Sequence, residues 1–229
     1  MRVLFALVAA IVVTGAPSAW GQVGYPPERS PFRDLEYRQE LSLYSGYYQA
    51  QLDPEGISPQ SGPLVGVRYE LRIGGPMQLS VRMGRVSSER TIIDPGLAEE
   101  ARAVATRDLG LYLVDAGFTF NLTGQKSWHG LVPLLSAGGG IVSDFKGTRD
   151  VGGFRIGTPF AISLGGGVRW VPSGPYQVRL DVLSYWYEIR YPSTYFTATP
   201  PNSPVRTGSQ SVWTRNLAFT LGASYQFFR

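Results

Sequence analysis

The chain has 229 residues with 21 basic and 17 acidic side chains, a formal net charge of +4, no cysteine and a single histidine. The missing cysteines exclude disulfides, thiolate metal sites and a cysteine nucleophile, and so small a charge on so long a chain excludes the electrostatic footprint of a nucleic-acid binder. With 28 glycines and an aromatic share of 13%, the composition favours strands and tight turns over helices.

The chain opens on Arg2, an apolar run over 3–13 and small residues leading to Ala19, which reads as an export signal at 1–21 cleaved before Gln22. The run is shorter than the roughly 18 residues a spanning helix requires, which argues against a retained anchor. Residues 22–39, with Pro26, Pro27 and Pro31, are expected to form a flexible periplasmic leader, and 40–229 a single β-domain.

Within that domain the pattern predicts eight strands. The first, at 40–52, has an open register because Tyr44, Tyr47 and Tyr48 occupy both faces. In the second, PLVGVRYELRI, Val65, Val67, Tyr69, Leu71 and Ile73 alternate with Gly66, Arg68, Glu70 and Arg72. A helix would scatter these charges around its axis, whereas the two-residue period of a strand separates one oily face from one charged face. In the third, Leu79, Val81 and Met83 oppose Ser80, Arg82 and Gly84. In the fourth, Tyr112, Val114, Ala116, Phe118 and Phe120 oppose Asp115, Gly117, Thr119 and Asn121. The fifth sets Leu135, Ala137 and Ile141 against Ser136, Gly138 and Gly140, and the sixth sets Phe160, Ile162, Leu164, Val168 and Trp170 against Ser163, Gly165, Gly167 and Arg169. The seventh opposes Val178, Leu180, Val182 and Trp186 to Arg179, Asp181 and Tyr185. The last opposes Leu217, Phe219, Leu221, Ala223, Tyr225 and Phe227 to Thr220, Gly222, Ser224 and Gln226.

Connections after the second, fourth and sixth strands are short, at 74–77, 124–130 and 173–176, while those at 53–62, 87–107, 144–158 and 192–213 are long and fall on the opposite rim. Such sorting, with an even strand number, predicts an all-β, eight-stranded antiparallel up-and-down transmembrane barrel with short periplasmic turns and long extracellular loops, placed in the outer membrane. Its expected partner along the oily face is outer-membrane lipid. Aromatic rings prefer the headgroup level. Phe118, Phe120, Trp128, Trp170, Tyr176, Phe227 and Phe228 are expected to form the periplasmic girdle, and Phe160, Trp186, Tyr187, Tyr191 and Trp213 the outer one.

The Gly-rich LVPLLSAGGGIV and FAISLGGGVRW, together with VRLDVLSYWYEIRY and the closing LAFTLGASYQFF, resemble the small eight-stranded outer-membrane barrels of the OmpA type. The resemblance covers nearly the whole mature chain through loose motifs that identify an architecture rather than an activity. It implies that the barrel-assembly machinery reads the terminal aromatic during insertion; here Arg229 follows Phe228, so Phe227 or Phe228 serves.

An eight-stranded lumen is only about wide enough for side chains to fill, which predicts a packed polar plug instead of a water-filled pore. Arg68, Arg72, Arg82, Arg169 and Arg179 would share it with Glu70, Asp115 and Asp181. Buried charge is tolerated only when paired and hydrogen-bonded, so an excess of cations places some arginines near a rim or against Asn121, Tyr185, Gln226, carbonyls and water. Arg179 and Asp181 are expected to belong to a structural network.

No cofactor or metal site is expected, and catalysis is not indicated. The single histidine, His129, lies in a short periplasmic turn beside Trp128 and Ser127, at the wrong end for surface-lipid chemistry and with no evident acidic partner. The glycine runs precede no helix that would receive a phosphate. Residues 97–105 look like a short helix, and Asn121 opens a sequon attributed to chance. The preferred function is a non-enzymatic surface barrel whose loops serve envelope integrity and contact an extracellular ligand, loop 192–213 included, although solvation explains that loop more simply. The alternatives are a narrow channel for small or hydrophobic solutes, and a soluble lipocalin-like carrier with the opposite polarity.

Overall fold

Alternating apolar and polar side chains along much of each long strand give the sheet two unlike faces, and the sheet closes on itself as a ring. In the computed structural model, described over residues 30–172, 174–197 and 202–228, the strands are β1 (Phe32–Asp34), β2 (Gln39–Gln49), β3 (Gly62–Gly74), β4 (Met77–Ile93), β5 (Ala103–Asn121), β6 (Lys126–Trp128), β7 (Leu131–Ser143), β8 (Phe160–Trp170), β9 (Tyr176–Arg190) and β10 (Ser211–Phe227). Every pairing is antiparallel. The ring runs β2, β3, β4, β5, β7, β8, β9, β10 and closes where β10 returns to β2, from Leu217 opposite Gln49 to Phe227 opposite Gln39. Closure removes the open edges that lipid would leave unsatisfied. The export signal expected at 1–21 lies outside the described residues.

The polarity is that of a barrel in lipid. Leu43, Val65, Leu180 and Leu221 are more than half exposed on the outside, while Arg68, Arg82, Arg169 and Arg179 are at most 2% exposed inside. A soluble carrier requires the reverse, so that alternative falls. The protein is an outer-membrane barrel: its apolar outer surface has no stable place in water, and its charges have none in hydrocarbon.

Several boundaries differ from those read in the sequence. The connection expected at 87–107 is mostly strand: β4 and β5 stay paired up to Ile93 opposite Ala103, with only the 94–102 segment outside the ladder. Polar residues on both arms let this hairpin continue above the membrane. The helix expected at 97–105 shrinks to one 3-10 turn, Glu99–Ala101, because Ala103 onward is claimed by the β4 ladder.

The leader expected to be loose is attached over its last residues. β1 pairs with β6 from Phe32 opposite Trp128 to Asp34 opposite Lys126, the Leu35 amide donates to the Gln125 carbonyl, and the Arg38 amide donates to the Phe228 carbonyl. The turn at 124–130 thus contains a strand that recruits the chain before the ring.

The girdles are also redrawn. Phe118, Phe120, Trp128, Trp170, Tyr176 and Phe228 are exposed around the periplasmic end, and Phe160, Trp186 and Trp213 around the outer end. Tyr187 and Tyr191, expected in the outer girdle, are buried instead. Tyr187 shares the parity of Arg179 and Asp181, which turns it into the lumen.

Candidate functional site

The inward faces of β2, β3, β4, β5, β8 and β9 bring four guanidinium groups and four carboxylates into a buried charge cluster made of two hydrogen-bonded groups. Glu70 is the hub of the larger group: Arg179 Nη1 and Arg169 Nη2 each donate to Oε2 at 2.7 Å, and the Thr119 hydroxyl donates to Oε1 at 2.8 Å. Asp181 accepts Arg68 Nη1 at 2.8 Å and Arg179 Nε at 2.9 Å. On the neighbouring wall Asp115 accepts Arg82 Nε at 2.8 Å and the Tyr185 hydroxyl at 3.0 Å. Arg169 also reaches Gln78 Oε1 at 2.9 Å and Glu40 Oε2 at 3.4 Å.

The excess of cations expected in the lumen therefore vanishes. Glu40, missed because three tyrosines blurred the register of the first strand, supplies the fourth carboxylate: Tyr44 and Tyr48 turn out to share its inward parity, and Tyr47 faces out. Arg72 leaves the cluster. It stands half-buried near the periplasmic end of β3, where Nη1 donates to the Leu35 carbonyl at 2.7 Å and helps hold the leader. The other expected members, Arg68, Glu70, Arg82, Asp115, Arg169, Arg179 and Asp181, converge. Asn121 also faces the lumen and is buried, so its sequon presents no acceptor.

Towards the outer end the lumen turns apolar, against the expectation of a polar plug throughout. Leu109, Leu111 and Leu113 of β5 pack with Leu64, Val86, Leu183, Tyr187 and Ile189 in one buried cluster. Three loops drop a side chain onto it: Ile57, Phe154 and Tyr195, each at most 1% exposed.

Polar ties hold this lid. The Tyr191 hydroxyl donates to Asp53 Oδ2 at 2.6 Å, Arg90 pairs with Asp150 at 2.9 Å beneath the Phe154 ring, and Arg206 pairs with Glu55 at 2.9 Å. Arg102 donates to the Ser203 carbonyl and Thr194 to the Gly152 carbonyl, so all four loops are stitched together. The part of the fourth loop around Tyr195 is a structural member of the lid, where solvation was the simpler expectation.

The Tyr191 phenol is pushed above its ordinary value of 10.0, first by burial and then by its bond to the Asp53 carboxylate. Since the folded value lies above the unfolded one, this tie is complete below pH 10 and is lost as pH rises through the folded value. Loop proteolysis followed from neutral to strongly alkaline pH should show the lid loosening only on the alkaline side. Tyr191→Phe should be cleaved faster at neutral pH and lose that alkaline step.

Fold and polarity together define the class: a small eight-stranded outer-membrane barrel with a filled lumen, the class whose motifs the sequence resembles. No protein-family model and no curated protein matches the chain. Among solved structures it is similar to neisserial surface protein A, with a TM-score of 0.50 and 15% identity over 82% of this chain and 97% of that one. It is also similar to Ail, the attachment invasion locus protein of Yersinia pestis, solved with the heparin analogue sucrose octasulfate, with a TM-score of 0.40 and 15% identity over 83% of this chain and 99% of that one. At such identity the likeness concerns the fold alone.

Proposed function

We propose that the protein is a non-enzymatic surface scaffold of the outer membrane, a sealed barrel that stiffens the envelope and presents stitched loops to an extracellular protein or sugar. The observation that carries this reading is the double seal of the lumen, with the ionic network below and the apolar cluster under its lid above. A conduit needs a continuous path, whereas here guanidinium and leucine side chains occupy the cross-section in turn. In a rigid scaffold, loops are the natural place for recognition.

The position of the histidine supports the non-enzymatic part. His129 sits in the β6–β7 turn with its ring against Trp128, 5.0 Å between centroids. The neighbouring Ser127 is buried, its hydroxyl 3.4 Å from the Arg33 carbonyl, so it is not poised for His129 to activate.

Planar-bilayer recordings of the refolded chain should show no steady conductance, and a reproducible open level would overturn the scaffold reading in favour of a channel. Adhesion is tested separately by cell-binding assays on exposed positions of the outer loops and the β4–β5 hairpin, such as Leu52, Val104 and Val151 changed to serine, which leave the lid residues in place. Unchanged binding by the triple variant would count against these loops as the contact surface.

A further inference from the structure

Between the third loop and the outer ends of β8, β9 and β10 the structure forms an open cleft of about 650 Å³. Arg149 and Arg155 from the loop and Arg190 from the end of β9 line it, together with Phe160 and Trp213. Phe160 and Trp213 are 60% and 54% exposed on the outer wall, and rings of this kind mark the headgroup level of the outer leaflet. The three guanidinium groups therefore stand where lipid headgroups lie, above hydrocarbon-facing Ile162, Trp186 and Phe219.

Two of the three cleft arginines are uncommitted, and the third faces Glu188, the one carboxylate in the cleft lining. Arg90, Arg102 and Arg206 are engaged in the lid, but among the described residues no anion pairs with Arg149 or Arg155, both of which are exposed. Arg190 meets Glu188 at 2.9 Å with its side chain 81% exposed, a screened pair that yields readily to a stronger anion. Guanidinium groups present forked donors matched to phosphate oxygens, and basic pockets between membrane-spanning helices bind phosphorylated lipid headgroups by the same chemistry.

We propose that this cleft binds the phosphorylated headgroup of an outer-leaflet glycolipid, with Arg149, Arg155 and Arg190 holding its phosphates and sugar rings lying against Trp213 and Phe160. The acyl chains then continue down the wall past Ile162 and Trp186. The site goes beyond the scaffold reading and does not depend on it: a conducting barrel would carry the same cleft.

The test uses the folded full chain in non-ionic detergent, titrated with lipid A followed by tryptophan fluorescence, beside chemically dephosphorylated lipid A and inorganic phosphate. Binding of lipid A should weaken roughly tenfold or more in the R149Q/R155Q variant, and to a similar degree when the lipid has lost its phosphates. Both arginines are exposed, so the variant should keep the heat-dependent gel mobility of the parent, which checks its fold. Equal affinity of parent and variant, or of lipid with and without phosphate, would overturn the site. Displacement of lipid A by millimolar inorganic phosphate would overturn its assignment to a lipid and indicate a site for free anions.

Discussion

Replacing Glu70 by glutamine should lower the stability of the folded barrel by about 3–5 kcal/mol, the cost of removing one partner from a buried ion pair. The side chain is 1% exposed and accepts from two arginines and a threonine. Glutamine keeps the volume and the Thr119 bond but removes the charge. The lumen then holds four guanidinium groups against three carboxylates, and neither Arg169 nor Arg179 can swing into water, being at most 1% exposed. Urea titration of the refolded protein, read by heat-dependent gel mobility, measures the loss. An unchanged midpoint would show that the cluster is hydrated well enough to do without its hub. A second substitution that removes a cation, Arg169→Gln, should restore part of the loss when combined with Glu70→Gln, with a coupling of about 0.5–3 kcal/mol. Asp181→Asn should cost a comparable amount: Arg179 keeps Glu70, but Arg68, 1% exposed, loses the one carboxylate it pairs with among the described residues. If Asp181→Ala left heat-resistant folding unchanged, its place in the network would be refuted.

How legible was this network? The strand parity that buries Arg68, Glu70, Arg82, Asp115, Arg169, Arg179 and Asp181 is written directly in the period of two, and each of them lies on the face the pattern assigns. Two failures have physical causes. Glu40 escaped because a strand in which tyrosines sit on both faces has no oily side from which to read register. Tyrosine serves equally as lipid-facing ring and as lumen filler, as Tyr47 and Tyr48 show, at 51% and 0% exposure. Arg72 stands near a rim, where the cation excess placed some of the arginines, but it could not be singled out, because parity says which face a residue takes and not how near the rim it stands.

The apolar upper lumen was hidden for a related reason. Leu109, Leu111 and Leu113 share the inward parity of Asp115, with Tyr112 and Val114 pointing out, but an inward face made of leucine carries no polar residue to set it apart from the oily one. The lid was illegible because Ile57, Phe154 and Tyr195 belong to loops, where no periodicity marks a buried side chain. The cleft joins residues of the third loop to the ends of three strands, and nothing in the sequence brings Arg149 and Arg190 together.

Two adjacent glycines on β7 make the sharpest contrast the barrel offers. Gly140 faces the lumen, and a Cβ there would fall inside the van der Waals envelope of the Val114 carbonyl oxygen and the Asp115 Cα. Both are backbone atoms of the paired strand, so no rotamer change relieves the contact; the β5–β7 ladder itself must shift where Asp115 opposes Gly140. That shift draws Asp115 away from Arg82 and Tyr185, adding an electrostatic loss to the steric one. Gly139 faces outward, where the nearest atom to an added Cβ is the Phe160 ring edge at 3.0 Å, the free end of a lipid-exposed side chain. Gly140→Ala should therefore cost about 3 kcal/mol or more, at or beyond the top of the usual range for overpacking, and abolish heat-resistant folding. Gly139→Ala should stay within about 1 kcal/mol of the parent, since the loss of unfolded-chain freedom offsets a small displacement of the ring. Refolding yields and urea midpoints of the two variants measured side by side decide the matter. Equal behaviour would mean that the sheet coils less tightly around the network than the glycine positions imply, and that glycine serves there for some reason other than room.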